Sequence, residues 1–272
     1  YQVTLVVIAG GAVALAVWAW RSPAPDHTAL RRGLTRGGLM LVTLLTIGLL
    51  VYLRPLSADQ VAVDALDDGN GVEVTVTRGE IRLDPDDPKA TGLVFYPGAL
   101  VDPRAYAHIL RPIAEAGYPV VIIKFPYNLA IVQNGAAGRV VGDTDDDITQ
   151  WVIGGHSLGG AMASAWSESP HDELAGLLLW AAYPVNPMTD VELDVVSIYG
   201  TEDQLATVDD IDASRADLPA DTLFVPIEGG IHAFFGDYGS QRGDGTPTIG
   251  REDAQAQIVL ATLDMLDTLT TP

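Results

Sequence analysis

The sequence predicts an α/β domain, a mostly parallel sheet with helices on both faces, preceded by two membrane-spanning helices. Three observations carry this. Beyond Gly92, short runs of Val, Ile and Leu alternate with stretches of helical periodicity, the pattern of strands covered on both sides. One such run, Trp151-Val-Ile-Gly154, leads into Gly155-His-Ser-Leu-Gly159 and on into the helix-prone Ala161-Met-Ala-Ser-Ala-Trp166. Ahead of all this, residues 3–20 and 37–53 carry no charged side chain.

Each uncharged run approaches the roughly 20 apolar residues that cross about 30 Å of hydrocarbon as a helix. A signal peptide is the alternative for the first, but no basic residue precedes it and Trp18 and Trp20 stand at its end like an interfacial belt. The expectation is a transmembrane hairpin over residues 1–55, holding the α/β domain over 56–272 to the lipid bilayer. The linker between the two runs has Arg21, Arg31, Arg32 and Arg36 against Asp26. Arginine-rich short loops stay cytoplasmic, so the domain is expected on the extracellular side of the cell membrane.

Within the domain, residues 73–77 and 81–83 alternate about Arg78-Gly79 and predict an opening antiparallel hairpin. Strands are expected at 93–96, 119–124, 151–153, 176–179, 195–199 and 223–226. Helices are expected at 103–116, 158–168 and 252–269, the last with Ile258, Leu260, Leu263, Leu266 and Leu269 on one stripe. Between Trp180 and Asp190 there is room for a loop but not for a helical cap over a site.

Residues 155–159 have the Gly-x-Ser-x-Gly form of a nucleophile elbow, in the strand–turn–helix setting that form requires. The turn would lift the Ser157 hydroxyl clear of the backbone and aim the N–H of Leu158 at a developing oxyanion. Downstream, the strand around 195–199 ends in Gly200-Thr-Glu-Asp203, and the strand around 223–226 leads to Glu228-Gly-Gly-Ile-His232. Acids and histidines in such loops complete a Ser–Asp–His triad: His232 as base, Asp203 as its orienter, with Glu202 the neighbouring alternative. The chain has five histidines. His27 lies between hydrophobic segments, His108 on a helical stretch, His156 within the elbow and His171 on a polar loop, so only His232 has the order and setting of a base. A second oxyanion donor is expected from the turn Pro97-Gly98-Ala99, with the Ala99 amide first and Gly98 second. Tyr127, Asn128, Tyr183 and Phe234 are candidate walls of an open substrate pocket.

These residues carry a family resemblance. From about 61 to 269 the chain resembles α/β-hydrolase-fold serine hydrolases of the dienelactone-hydrolase-like and carboxylesterase branch. The matching stretches are Tyr96-Pro-Gly-Ala-Leu-Val-Asp-Pro103, Phe125-Pro-Tyr-Asn-Leu-Ala130, Gly154 to Gly160, Tyr199-Gly-Thr-Glu-Asp203 and His232 to Gly239, the last continuing in a glycine-rich tail from Gln241 through Gly243-Asp-Gly245 to Arg251-Glu252. Relatives often carry a second glycine where Ala99 stands and an asparagine where Ile231 stands. Ala99 still offers an N–H, whereas Ile231 removes a polar contact. Dienelactone hydrolases proper use a cysteine nucleophile, and this chain has no cysteine, so that activity is not implied. The resemblance implies cleavage of carboxylic esters, or of related acyl bonds in a small-molecule substrate, with no metal or organic cofactor. A non-catalytic scaffold on the same fold, serving a membrane assembly, is the rival expectation.

Charge is the remaining signal. The chain has 36 acids against 15 bases, a formal net charge of −21. Such acidity repels phosphate and excludes nucleic acid as a partner. An apolar content of 48% argues against disorder. The expectation is a halophilic, haloarchaeal protein, in which high salt screens the repulsion. Asp143-Thr-Asp-Asp-Asp147 then reads as a solvated loop.

Overall fold

The computed structural model describes residues 10, 11, 13, 14, 17, 18, 21, 29–142 and 148–270, with backbone only for 29–34 and 52. The chain divides into two compact units, Tyr1–Arg54 and Pro55–Pro272.

The first unit contains α1 (Ala29–Tyr52), which covers the second expected membrane span. Its Met40, Leu41, Leu44, Leu45 and Val51 side chains are exposed. Among the described residues no helix is long and apolar enough to cross a membrane. The expected transmembrane hairpin is therefore not supported. Most of the first expected span lies outside the described residues, as do His27 and the 143–147 loop.

The second unit is built on one sheet of eight strands: β1 (Val72–Val76), β2 (Glu80–Pro85), β3 (Thr91–Tyr96), β4 (Val120–Ile123), β5 (Gln150–His156), β6 (Leu174–Trp180), β7 (Asp194–Gly200) and β8 (Leu223–Ile227). Their order is β1-β2-β4-β3-β5-β6-β7-β8. β1 and β2 form the expected hairpin, Val76 facing Ile81, and β2 joins β4 antiparallel. From β4 to β8 every pairing is parallel.

The central strands are apolar on both sides because both sides are covered. Leu93 and Phe95 of β3, with Val120 and Ile122 of β4, belong to one buried cluster; Val94, Tyr96, Val121 and Ile123 belong to the other. The first cluster takes in Ile109, Leu110 and Ile113 of α3 (Ala107–Glu115), which follows a 3-10 turn at Pro103–Tyr106. It also takes in Ile258, Met265 and Leu266 of α7 (Arg251–Thr270). The second takes in Met162 and Ala163 of α5 (Leu158–Ser167), and Val140 and Val141 of α4 (Gly138–Val141). One part of the α7 stripe is corrected. Leu260 is exposed, and the buried face runs through Ala254, Ile258, Thr262, Met265 and Leu266, because a residue two positions from Ile258 points about 200° away.

Three short helices went unread in the sequence. α2 (Gln60–Asp64) and α4 are each about a single turn, and α6 (Val208–Ser214) begins on a reciprocal cap in which Thr207 and Asp210 each satisfy the other's backbone. The loop from Ala181 to Leu193 contains no helix, so no cap rises from this connection.

The strand order fixes where chemistry can sit. The chain passes from β3 to β4 on one side, then returns past β3 to lay β5 on the other. The loops leaving β3 and β5 therefore diverge, opening a crevice at their carboxyl ends. Tyr96 pairs with Gly155 across that boundary, which sets the Pro97–Ala99 turn beside His156 and Ser157.

Candidate active site

Backbone strain gathers at this edge. Among the described residues, the non-glycine residues with positive φ are Asn70, Leu100, Tyr127, Asn128, Ser157 and Ala181. All but Asn70 lie in the loops that follow β3, β4, β5 and β6. Ser157 has φ 54° and ψ −127°, a conformation that costs about 1–3 kcal/mol and persists only where its surroundings enforce it. The surroundings are two glycines. A Cβ on Gly155 would lie 2.5 Å from the Gly159 carbonyl carbon, and one on Gly159 only 2.1 Å from the Tyr96 carbonyl oxygen. The elbow can pack this closely against the end of β3 only without those side chains.

Asp203, at the end of β7, is buried. One carboxylate oxygen accepts the N–H groups of Leu205 and Ala206, at 2.7 and 2.9 Å. The other lies 2.7 Å from His232 Nδ1. The two amides fix the carboxylate, and the carboxylate defines one orientation of the imidazole, with Nδ1 toward the acid and Nε2 away from it. Glu202, the alternative acid, is exposed. The His232 ring lies 4.5 Å, centre to centre, from that of His156 in the elbow. Among the described residues the buried His232 Nε2 has no hydrogen-bond partner.

The loop carrying His232 is held from behind. Asp244 accepts the backbone N–H of His232 at 3.1 Å and that of Ala233 at 2.8 Å. Arg251 donates to the carbonyls of Ala233 and Gly239, each at 3.0 Å, with its guanidinium 5.0 Å over the Phe234 ring. Buried Asp237 accepts from Gln255 at 3.1 Å and faces His108 at 3.1 Å. His108 therefore braces the loop rather than packing on an apolar face, and His171 stacks on Trp166 at 3.8 Å. In the sequence Asp244 and Arg251 belong only to the tail shared with similar sequences and carry no assigned role, since nothing in the spacing of 232, 244 and 251 signals a contact.

Among the described residues the amides of Leu158 and Ala99 donate no hydrogen bond. Gly98, the second-choice oxyanion donor, is different. Its N–H is spent on the Tyr106 hydroxyl at 2.8 Å, which removes it from that role. The same hydroxyl lies 2.9 Å from His156 Nδ1. Burial lowers the His156 pKa well below its ordinary value, reinforced by repulsion from His232 and partly opposed by an interaction with the His232 backbone. His156 therefore stays neutral. Burial likewise raises the Tyr106 pKa, so that hydroxyl keeps its proton.

The candidate walls divide. Tyr127 and Tyr183 are exposed and Asn128 is half-exposed, its carbonyl accepting from Leu100 at 2.8 Å. Phe234 is buried beneath Arg251 and belongs to the packing of the histidine loop. No group of acidic or histidine side chains among the described residues could hold a metal ion.

Comparisons with known proteins agree with this architecture. A predicted CIB-like hydrolase from Thermoplasma acidophilum superposes with a TM-score of 0.54 at 15% identity, covering 72% of this chain and 97% of that one. Dienelactone hydrolase from Anabaena variabilis gives 0.52 at 12% identity, covering 71% and 98%. Alpha/beta hydrolase domain-containing protein 10 from mouse gives 0.51 at 13%, covering 73% and 99%. At such identities the likeness is one of fold. No curated protein matches the sequence. The profile of the Alpha/beta hydrolase family matches residues 92–256, more than half of the length, and the chain belongs to that family.

Proposed function

We propose that this hydrolase cleaves carboxylic esters, or related acyl bonds of a small molecule, through Ser157, His232 and Asp203. His232 Nε2 takes the proton of Ser157 as Oγ attacks the carbonyl carbon. The oxygen that gains charge is held by the N–H groups of Leu158 and Ala99. The leaving alkoxide takes the proton from Nε2 and an acyl-serine remains. Water then repeats the sequence with roles reversed, releasing the acid and restoring Ser157. Asp203 keeps Nδ1 protonated and stabilises the imidazolium without taking its proton.

The observation that carries this reading is the buried Asp203–His232 pair, its imidazole 4.5 Å from the ring of His156, the residue before the strained elbow serine. An unpartnered buried ring nitrogen costs about 1–3 kcal/mol. At His232 that nitrogen is the one a general base uses, and catalytic hydrogen bonds often close only around a substrate. We further propose that residues 1–55 attach the chain to a lipid bilayer with the domain outside the cell. The exposed apolar side chains of α1 and the arginines at 21, 31, 32 and 36 support that placement. The test is a fluorophosphonate probe on the full chain at high salt, followed by a panel of short and long acyl esters. Stoichiometric labelling of Ser157 with ester turnover supports the reading. A folded chain that ignores both is a scaffold and not an esterase.

A further inference from the structure

We propose that Tyr106 and His156 are positioning residues that fix the oxyanion-binding turn and tie it to the general base. This rests on the acyl-transfer reading above. A phenolic hydroxyl has one proton. Because Tyr106 Oη accepts the Gly98 N–H at 2.8 Å, its own proton is free to go to His156 Nδ1 at 2.9 Å. That direction requires the His156 proton to sit on Nε2 of a neutral ring, and burial keeps the ring neutral. The relay runs from the Gly98 amide through Tyr106 to His156, and both side chains are buried.

The His156 ring then meets the base. It lies 4.5 Å from the His232 ring and stacks at 8° on Phe235, three residues further along the histidine loop. One imidazole thus touches the general base on one side and, through a single hydroxyl, sets the Pro97–Ala99 turn on the other. The glycine at 98 is explained by this contact. A Cβ there would stand 2.9 Å from His156 Nδ1 and 3.0 Å from Tyr106 Oη, so a side chain would break the relay. With the Gly98 amide committed inward, the following amide, Ala99, is the one left for substrate. A turn anchored in this way has its donor aligned before charge develops, which is where such donors gain their effect.

The test uses the full chain with Tyr106→Phe, His156→Leu and His156→Asn, and four readouts: kcat and KM per titrated active site, affinity for an alkylboronic acid that mimics the tetrahedral state, melting temperature, and deuterium uptake over residues 97–100. Tyr106→Phe and His156→Leu both break the relay. They should lower kcat by about 10- to 100-fold with KM within about threefold, and weaken the boronic acid in step, as a misaligned oxyanion donor does. Uptake at 97–100 should rise in both. His156→Asn, whose Oδ1 can still accept from Tyr106, should recover kcat to within about threefold of wild type. If Tyr106→Phe fails to fold, the two His156 variants carry the comparison. Unchanged kcat and boronate affinity in a relay-broken variant would overturn the positioning role. So would equal losses in the Asn and Leu variants. A wild type that neither turns over esters nor binds the boronic acid would overturn the underlying reading, and this proposal with it.

Discussion

Replacing Gly159 with alanine should cost both stability and activity, and the structure gives the size of each. The added Cβ would stand 2.1 Å from the Tyr96 carbonyl oxygen, 2.5 Å from that of Pro97 and 2.7 Å from the Tyr96 carbonyl carbon. All three are backbone atoms of β3 and the turn after it, so no side chain can rotate away. Relief requires α5 and the end of β3 to separate by about 1 Å, against an overpacking cost that is usually 1–3 kcal/mol and here near the top of that range. For a domain of this length 1 kcal/mol moves the melting temperature by about 2–4 °C, so a fall of roughly 6–12 °C is expected. The same displacement separates the Leu158 and Ala99 amides, and about 1 Å of misplacement lowers rate by about 100-fold. The assay is thermal melting beside the second-order rate of fluorophosphonate labelling, with Gly135→Ala as the comparison. A Cβ at Gly135 meets nothing nearer than a Trp166 ring carbon at 4.0 Å, so that variant should melt and label like wild type. Wild-type melting and labelling in Gly159→Ala would show that the elbow is not packed as described, and the strain argument for Ser157 would fall.

Other substitutions test separate parts of the site. Ser157→Ala should stay folded and lose esterase activity by about 10^4-fold or more; comparable turnover in a folded variant would eliminate the serine mechanism. Asp203→Asn should cost less than that but far more than Glu202→Gln, and the reverse order would move the acid by one residue. His156 gives a pH dependence of stability. Its folded pKa lies well below the ordinary 6.5, so the unfolded chain binds the proton first and stability falls as pH drops below about 6.5. His156→Asn should flatten the melting curve between pH 7 and 5, and an unchanged slope would assign the effect to another group. Salt should stabilise the chain. All but one of its 36 acids lie beyond residue 55, and among the described residues only Asp203 and Asp237 are buried acids. Repulsion among the rest is screened to about 3 Å at 1 M salt, so the melting temperature should rise through a potassium chloride series; a flat or falling trend would remove the high-salt expectation.

What could be read from the sequence follows from how local each feature is. The elbow was legible because its geometry is made by adjacent residues: two glycines, a strand before and a helix after. The inner strands were legible because burial on both sides leaves continuous apolar runs such as Val120–Ile123. Strand order was not written in any run, since β3 meets both β4 and β5 through backbone groups that every residue carries. The acid was read as Asp203 with its neighbour Glu202 as the alternative. The turn after β7 buries Asp203 against two amides and leaves Glu202 exposed, a difference of direction that composition does not encode.

The least legible part is the support around the triad, and the reason is chemical. A nucleophile and its base must be particular residue types, so their identity is a signal by itself. The groups that hold them need only place an acceptor or a donor at one point. A tyrosine hydroxyl serves for Gly98, a carboxylate 12 residues away serves for His232, and an arginine serves for the carbonyls of Ala233 and Gly239 in the histidine loop. Tyr106 sat inside an expected helix and satisfied that expectation as a large buried ring, so its hydroxyl went unread. Once the fold is given, the same hydroxyl is conspicuous, because a buried donor or acceptor must have a partner and its two partners are the oxyanion turn and the elbow. The catalytic groups can be found by type, and the groups that align them by asking where each buried polar atom spends its hydrogen bond.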